Sequence, residues 1–409
     1  MKKLILHVGM GKCGSSALQE YLSFNNSLID TQGNKYLYAC MNTDGTVYSG
    51  NLLEEKASNS PFNYASSPNL KQINDKGLFI NNFQTSMKKI NSNVIFSSEG
   101  WSSELELFND LIFKSVTDYQ IEVVFFVRPP VAWINSAWWQ WGAWADVSFD
   151  KWIDKNIPAT LWSGHIREWF ASEHIDKTHV KLLNKNVIES FSEIFNLKLN
   201  KKLLKKSNVS LPGTVLRFFQ NNRDLRPGPH DSSIDFILSK YINIDSKPDW
   251  VIPEVMVKDI VQKTLDSNTK LLEYLTENDR LAMKDDPKWW QVDAFQDLYS
   301  GVPKNFSQFA THGEYTQNDM EVLTKQLINS IITLDKKLKN IPVIKNQNHN
   351  QLQQFLDENY PDKADMYRDL AIYFGNDIDI GKLLIDKAYS LRPKGPVINK
   401  IREKLNASR

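Results

Sequence analysis

Two cysteines in 409 residues leave no disulfide framework, and neither belongs to a Cys-x-x-Cys pair. The seven histidines are scattered, so the ligand spacings of structural zinc are missing as well. An excess of one charge is also lacking: 49 Lys and Arg face 48 Asp and Glu, a formal net charge of +1. No global field gathers nucleic acid or an anionic membrane, so any anion must be bound by a local site. No stretch approaches the ~18 apolar residues of a membrane span. The opening Met1–Met10 carries two lysines and a short apolar run, but His7, Gly9 and Lys12 interrupt it before a signal-peptide core is complete. A cytoplasmic protein is expected, in a reducing compartment, with no transmembrane segment and no nucleic-acid partner.

What is present is ordinary for a globular protein: 41% hydrophobic and 24% charged residues. Single cores stop growing at roughly 250–300 residues, so the length predicts one large domain plus an appendage. Lys3–Val8 is a short apolar run ending in glycines. It is followed by Ser15–Leu22, where Ala17, Leu18, Tyr21 and Leu22 have helical spacing. The pattern predicts strand, glycine loop, helix. Similar runs at Asn93–Phe96, Glu122–Val127 and His179–Leu183 alternate with helical segments, which implies an α/β fold with a parallel sheet between helical layers. Residues 40–91, rich in Asn, Ser and Gly, are expected to form a long surface excursion, with a lid as one use for it. Past Pro342 the chain turns Asn- and Gln-rich before helical spacing resumes. The expected division is a domain at 1–345 and a helical C-terminal extension at 346–409.

A strand, a glycine loop and a helix start gather unpaired backbone N–H groups and the positive end of a helix dipole around one small space, which suits phosphate or sulfate. Gly9, Gly11 and Gly14 satisfy the dinucleotide fingerprint Gly-x-Gly-x-x-Gly. That fold wants an acidic residue at the end of its second strand. If Lys35–Ala39 is that strand, Cys40-Met41-Asn42 follows and no carboxylate stands there. A magnesium-dependent kinase or ATPase loop needs lysine directly after its last glycine, whereas here Ser15 follows Gly14 and the lysine sits earlier, at Lys12. A cysteine phosphatase would use Cys13 at the helix start, but the arginine such a loop needs is replaced by Gln19.

The run His7-Val8-Gly9-Met10-Gly11-Lys12-Cys13-Gly14-Ser15-Ser16-Ala17-Leu18-Gln19 resembles the opening of bacterial and glycan-modifying sulfotransferases, with Cys13 where a threonine usually stands. Val94-Ile95-Phe96-Ser97-Ser98-Glu99 resembles that family's strand ending in Ser-Ser-Glu. Val123-Val124-Phe125-Phe126-Val127-Arg128-Pro129-Pro130, followed by Ser136, resembles its motif for the nucleotide 3′-phosphate. Weaker echoes stand at Asn208-Val209-Ser210 and Ser267-Asn268. Ala388–Pro396 looks like a helical extension found on some bacterial members.

The resemblance implies a three-layer fold of the P-loop nucleotide-binding type and transfer of a sulfuryl group from 3′-phosphoadenosine-5′-phosphosulfate (PAPS) to an acceptor hydroxyl, expected on a carbohydrate. No metal is expected, because a sulfuryl group carries less charge than a phosphoryl group. Gly11, Lys12, Cys13, Gly14, Ser15, Ser16, Arg128 and Ser136 would hold the donor. Lys12 would stabilise charge on the bridging oxygen, and Glu99 would take the acceptor's proton. Against these roles stand a helix-capping carboxylate for Glu99 and a surface ion pair for Arg128, while His7, which could compete as a base, is expected to be a packed or hydrogen-bonded core residue. Trp133, Trp141 and Trp144 would share one face of a helix and Trp138 and Trp139 another, leaving core packing and sugar stacking both open. An ATP-dependent kinase and a non-catalytic nucleotide-binding adaptor are the rival readings.

Overall fold

The computed structural model of this chain describes residues 1–184, 186–201, 204, 211–239, 249–300, 302, 324, 327, 362–373 and 378–407. They belong to two compact units, Met1–Ile331 and Ile332–Arg409. The boundary expected near residue 345 and the echo at 208–210 lie outside the described residues.

The first unit is built on strands β1 (Lys2–His7), β2 (Ser27–Ile29), β3 (Lys35–Met41), β4 (Val47–Ser49), β5 (Asn93–Ser97), β6 (Tyr119–Val127) and β7 (Lys177–Leu182). Its described helices include α1 (Ser15–Phe24), α2 (Gly50–Asn59), α3 (Lys76–Lys88), α4 (Leu105–Leu111), α5 (Pro130–Gln140), α6 (Phe149–Asn156), α7 (Trp162–Phe170), α8 (Val187–Phe195), α9 (Gly213–Asn221), α10 (Ser233–Ser239), α11 (Glu254–Leu271) and α12 (Glu277–Asp285). The sheet runs β2-β3-β5-β1-β6-β7. The five strands from β3 to β7 are mutually parallel, and β2 and β4 pair antiparallel with β3.

Ring contacts show helices on both faces of the sheet. Phe125 of β6 meets Trp169 of α7 at 5.9 Å, and Phe96 of β5 meets Phe83 of α3 at 5.9 Å. Strand register places Phe96 opposite Leu6 and Leu6 opposite Val123, on the same face as Phe125. The opposite face carries Tyr36 and His179, whose rings both meet Phe195 of α8. With both faces covered, the central strands read as continuous apolar runs, and Val123–Val127 is wholly buried.

Residues 40–91 differ from expectation. They form the end of β3, then β4, α2 and α3, with Phe79, Phe83 and Met87 buried along one side of α3. The Asp75 side chain caps that helix by accepting from Leu78 N–H. The abundance of Asn and Ser on the outer side conceals the apolar stripe.

The tryptophan segment differs too. Helix α5 stops at Gln140, and Gly142–Trp144 forms a separate 3₁₀ turn. One helical wheel therefore does not describe all five tryptophans. Gly142 marks the break: a Cβ there would stand 2.2 Å from the Trp138 ring.

The second unit holds helices Lys363–Tyr373, Ile378–Leu391 and Pro396–Ala407 around Ala371, Ile385, Ala388 and Ile398. Arg392 ties Asp362 and Asp365 together beside the turn, and Pro396 opens the last helix at the position where a missing N–H costs nothing. No helix among the described residues is long and apolar enough to cross a membrane.

One buried ion pair gives the fold a measurable acid limit. Glu122 of β6 lies 2.6 Å from Lys3 Nζ and 2.7 Å from His179 Nε2. Burial alone raises its pKa, but the hydrogen bonds from His179 and Lys3 outweigh that and bring it from 4.5 to about 2. The folded state therefore holds the carboxylate more tightly than the unfolded chain does, and the contribution is present above the unfolded value. In urea titrations Glu122→Gln is expected to lower stability by on the order of 2 kcal/mol near neutral pH, the difference fading as pH falls from about 5 towards 2.

Candidate functional site

β5, β1 and β6 are adjacent and parallel, so their carboxyl ends open on one edge of the sheet. β1 continues to β3 on one side and β6 to β7 on the other, which puts the switch of chain direction at the loops after His7 and Val127. Ligands of open α/β sheets bind at such a point.

The loop after β1 is folded tightly against the end of β5. Gly9 has φ +99°, and a Cβ on it would stand 2.4 Å from the Glu99 carbonyl oxygen. A Cβ on Gly11 would lie 3.0 Å from Glu99 Oε1 and 3.3 Å from the Trp141 ring. Only glycine allows this approach at Gly9. Lys12 itself has φ +60°, unusual for a side-chain-bearing residue. Its N–H donates to Glu99 Oε1 at 3.2 Å, and its Nζ donates to Gln140 Oε1 at 3.3 Å. Arg128 Nη1 donates to the Lys12 carbonyl at 3.2 Å, and Trp133 Nε1 to the Gly11 carbonyl at 2.6 Å. Trp162 Nε1 in turn donates to the Arg128 carbonyl at 3.0 Å.

Lys12, Glu99 and Arg128 are thus brought together around one loop. Gly14, at φ +93°, precedes α1 without offering a side-chain cap. The first-turn amides at Ser15 and Ser16 have no acceptor within the helix, the arrangement that binds anions. The Ser15 hydroxyl donates to the Met10 carbonyl at 3.4 Å. Cys13 is fully buried and its N–H donates to the Met10 carbonyl at 3.2 Å. Burial pushes its thiol up to about 12, the reverse of what a nucleophilic cysteine requires. Ser136 is half-buried on α5, two turns into the helix that Pro130 starts.

His7 is a fully buried core residue: its Nδ1 lies 2.8 Å from Ser97 Oγ, which also accepts from Gln19 Nε2 at 3.0 Å. Burial lowers its pKa to about 3. Of the tryptophans, Trp133, Trp138, Trp139 and Trp144 are buried, while Trp141 is half-buried beside Gly11. Ser267 and Asn268 bond to Ser163 and to the Trp289 carbonyl, contacts that hold α11 in place.

The site also contains residues that no motif marked. Arg226 is fully buried, lies over the Trp144 ring at 4.0 Å and donates from Nη2 to the Gln140 carbonyl at 2.9 Å. Asp235 of α10 stands 2.6 Å from Arg226 Nη1. Phe236 packs on Phe62 at 4.9 Å and near Tyr64 at 6.4 Å. Arg226 sits in a turn-rich stretch, Arg223–Pro229, with no spacing that points to the glycine loop more than 200 residues earlier.

The charges are tuned by one another. Burial lowers the Lys12 ammonium, with Glu99 and Asp235 opposing and Arg128 and Arg226 adding to the effect. Burial also lowers the Arg128 guanidinium. It raises Asp235 to about 6 against the pull of Arg226 and Lys12. Three cations and two carboxylates share this space, so an added anion is electrostatically welcome.

No known family model matches the chain, and no curated protein matches it. Among solved structures it is similar to a sulfotransferase from Alicyclobacillus acidocaldarius, at 13% identity over 69% of this chain and 99% of that one, with a TM-score of 0.36.

The buried His7 makes a direct check on the protonation pattern. Its ring is expected to stay neutral from pH 8 down to about 4, seen as unchanged imidazole ¹⁵N shifts across that range, whereas a titration near pH 6.5 would place the ring in water.

Proposed function

We propose that this chain is a sulfotransferase that moves a sulfuryl group from PAPS to an acceptor hydroxyl, with a carbohydrate as the acceptor class. The observation that carries the reading is the meeting of Lys12, Glu99 and Arg128 at the ends of three adjacent parallel strands, with a glycine loop opening α1 between them. The three sequence motifs that resemble the sulfotransferase family supply these same three residues.

The chemistry follows from the groups at hand. The acceptor oxygen forms a bond to sulfur while the bond from sulfur to the bridging oxygen breaks, and its electron pair remains on that oxygen. The Lys12 ammonium neutralises the charge that develops there. Glu99 takes the acceptor's proton, and the hydrogen bond from Lys12 N–H keeps its carboxylate turned to the loop. Arg128, Ser136 and the amides at Gly14, Ser15 and Ser16 hold the donor's phosphates. The half-buried Trp141 offers a ring beside Gly11 on which a sugar can stack. No step calls on a metal ion. The donor is made in the cytoplasm of cells that use it, which is where this reading places the protein. The domain expected at 1–345 would carry the activity, with 346–409 as its helical extension.

Magnesium-free calorimetric titration with adenosine 3′,5′-bisphosphate tests the donor class. The wild type is expected to bind tightly, and Arg128→Ala to weaken binding by about 10- to 100-fold. Lys12→Ala, which removes the cation beside an oxygen that the bisphosphate keeps, is expected to weaken binding as well, whereas Glu99→Gln is expected to retain most of the affinity while sulfation of a glycan acceptor panel falls by roughly 10²–10⁴-fold. Binding of ATP–Mg with no response to the bisphosphate would replace this reading with a kinase, and bisphosphate binding without Glu99-dependent turnover would leave an adaptor.

A further inference from the structure

A guanidinium with no exposed surface is costly unless its donors are satisfied. Arg226 is such a group, and it is only partly satisfied. Nη2 donates to the Gln140 carbonyl, Nη1 faces Asp235, and Nε has no hydrogen-bond partner among the described residues. Asp235 is in the same condition: one oxygen lies at Arg226, and the other, Oδ1, is buried without a partner among the described residues. The ion pair is therefore poorly completed on both sides.

Its position gives this a meaning. Gln140, the last residue of α5, receives Lys12 Nζ on its side-chain oxygen at 3.3 Å and Arg226 Nη2 on its main-chain oxygen at 2.9 Å. One residue thus fixes two cations, one from the glycine loop and one from the segment before α10. Trp144 backs the Arg226 plane at 4.0 Å, which sets its orientation and leaves its edge to bind. The Asp235 carboxylate stands at that edge, where an incoming anion of similar size and shape would stand.

Resting on the sulfotransferase reading, we infer that Arg226 is a second cation for the sulfuryl end of the donor and that Asp235 is the internal carboxylate holding its place until the donor arrives. Lys12 then meets the bridging oxygen while Arg226 meets the sulfuryl oxygens. The planar guanidinium fork matches two oxygens of one group better than an ammonium does. On binding, Asp235 gives up Arg226 and turns away with α10, a short helix whose Phe236 rests on Phe62 and Tyr64.

The test compares two nucleotides that differ at that end alone, PAPS and adenosine 3′,5′-bisphosphate, titrated without acceptor. Arg226→Gln is expected to weaken PAPS binding by about tenfold or more and to leave bisphosphate binding within about twofold. Asp235→Asn, which removes the competing charge and keeps the shape, is expected to tighten PAPS binding severalfold with no change for the bisphosphate. Equal loss of both nucleotides in Arg226→Gln, or no loss of either, overturns the assignment. So does unchanged or weaker PAPS binding in Asp235→Asn, which decides the matter if Arg226→Gln does not fold. If the wild type binds neither nucleotide, the sulfotransferase reading falls and the role of Arg226 falls with it; if it binds the bisphosphate and the variants behave otherwise than stated, only Arg226 is reassigned.

Discussion

The close approach of the Gly9–Lys12 backbone to Glu99 is the contact on which the site depends. Main chain meets main chain at Gly9 and main chain meets carboxylate at Lys12, with no room for a side chain between them. Such proximity is possible because β1 and β5 are parallel neighbours whose ends are in register, His7 opposite Ser97. Ser98 N–H donates to the His7 carbonyl at 3.1 Å and prolongs the pairing by one step. The loop is consequently fixed from below by the sheet, from one side by Glu99 and from the other by Arg128 and Trp133.

This arrangement sets the electrostatics. Carbonyl groups of Lys12 and Gln140 accept from the Arg128 and Arg226 guanidiniums, so backbone oxygens absorb part of the positive charge. The carboxylates of Glu99 and Asp235 absorb more. Desolvation still leaves Lys12 and Arg128 below their ordinary pKa values. A buried cation cluster whose counter-charge is incomplete favours an anionic ligand, and preorganised charge of this kind stabilises developing negative charge without reorganisation cost.

Much of the layout was legible in order along the chain. The strands expected at Lys3–Val8, Asn93–Phe96, Glu122–Val127 and His179–Leu183 correspond to β1, β5, β6 and β7, because strands covered on both faces must be apolar throughout. The helix after Gly14 begins where its spacing begins. At 40–91 the polar side of α3 outnumbered its buried stripe, so periodicity was obscured. In the tryptophan segment a glycine ended α5 early, and regular 100° spacing ceased to apply. His7 was recognisable as a core residue from its place at a strand end inside the sheet.

Sequence alone marked Lys12, Glu99 and Arg128 as candidates, since a glycine loop, a strand-end glutamate and a strand-end arginine are local patterns bound to local backbone geometry. Tertiary structure alone decided that Gln140, Arg226 and Asp235 join them. The charges of Arg226 and Asp235 and the two acceptor oxygens of Gln140 meet the glycine loop across separations of up to about 220 residues along the chain, and no local spacing encodes such a meeting. The order β3-β5-β1-β6-β7 makes it possible, by placing the loop after β1 between two later strand ends and beneath the segment that carries Arg226.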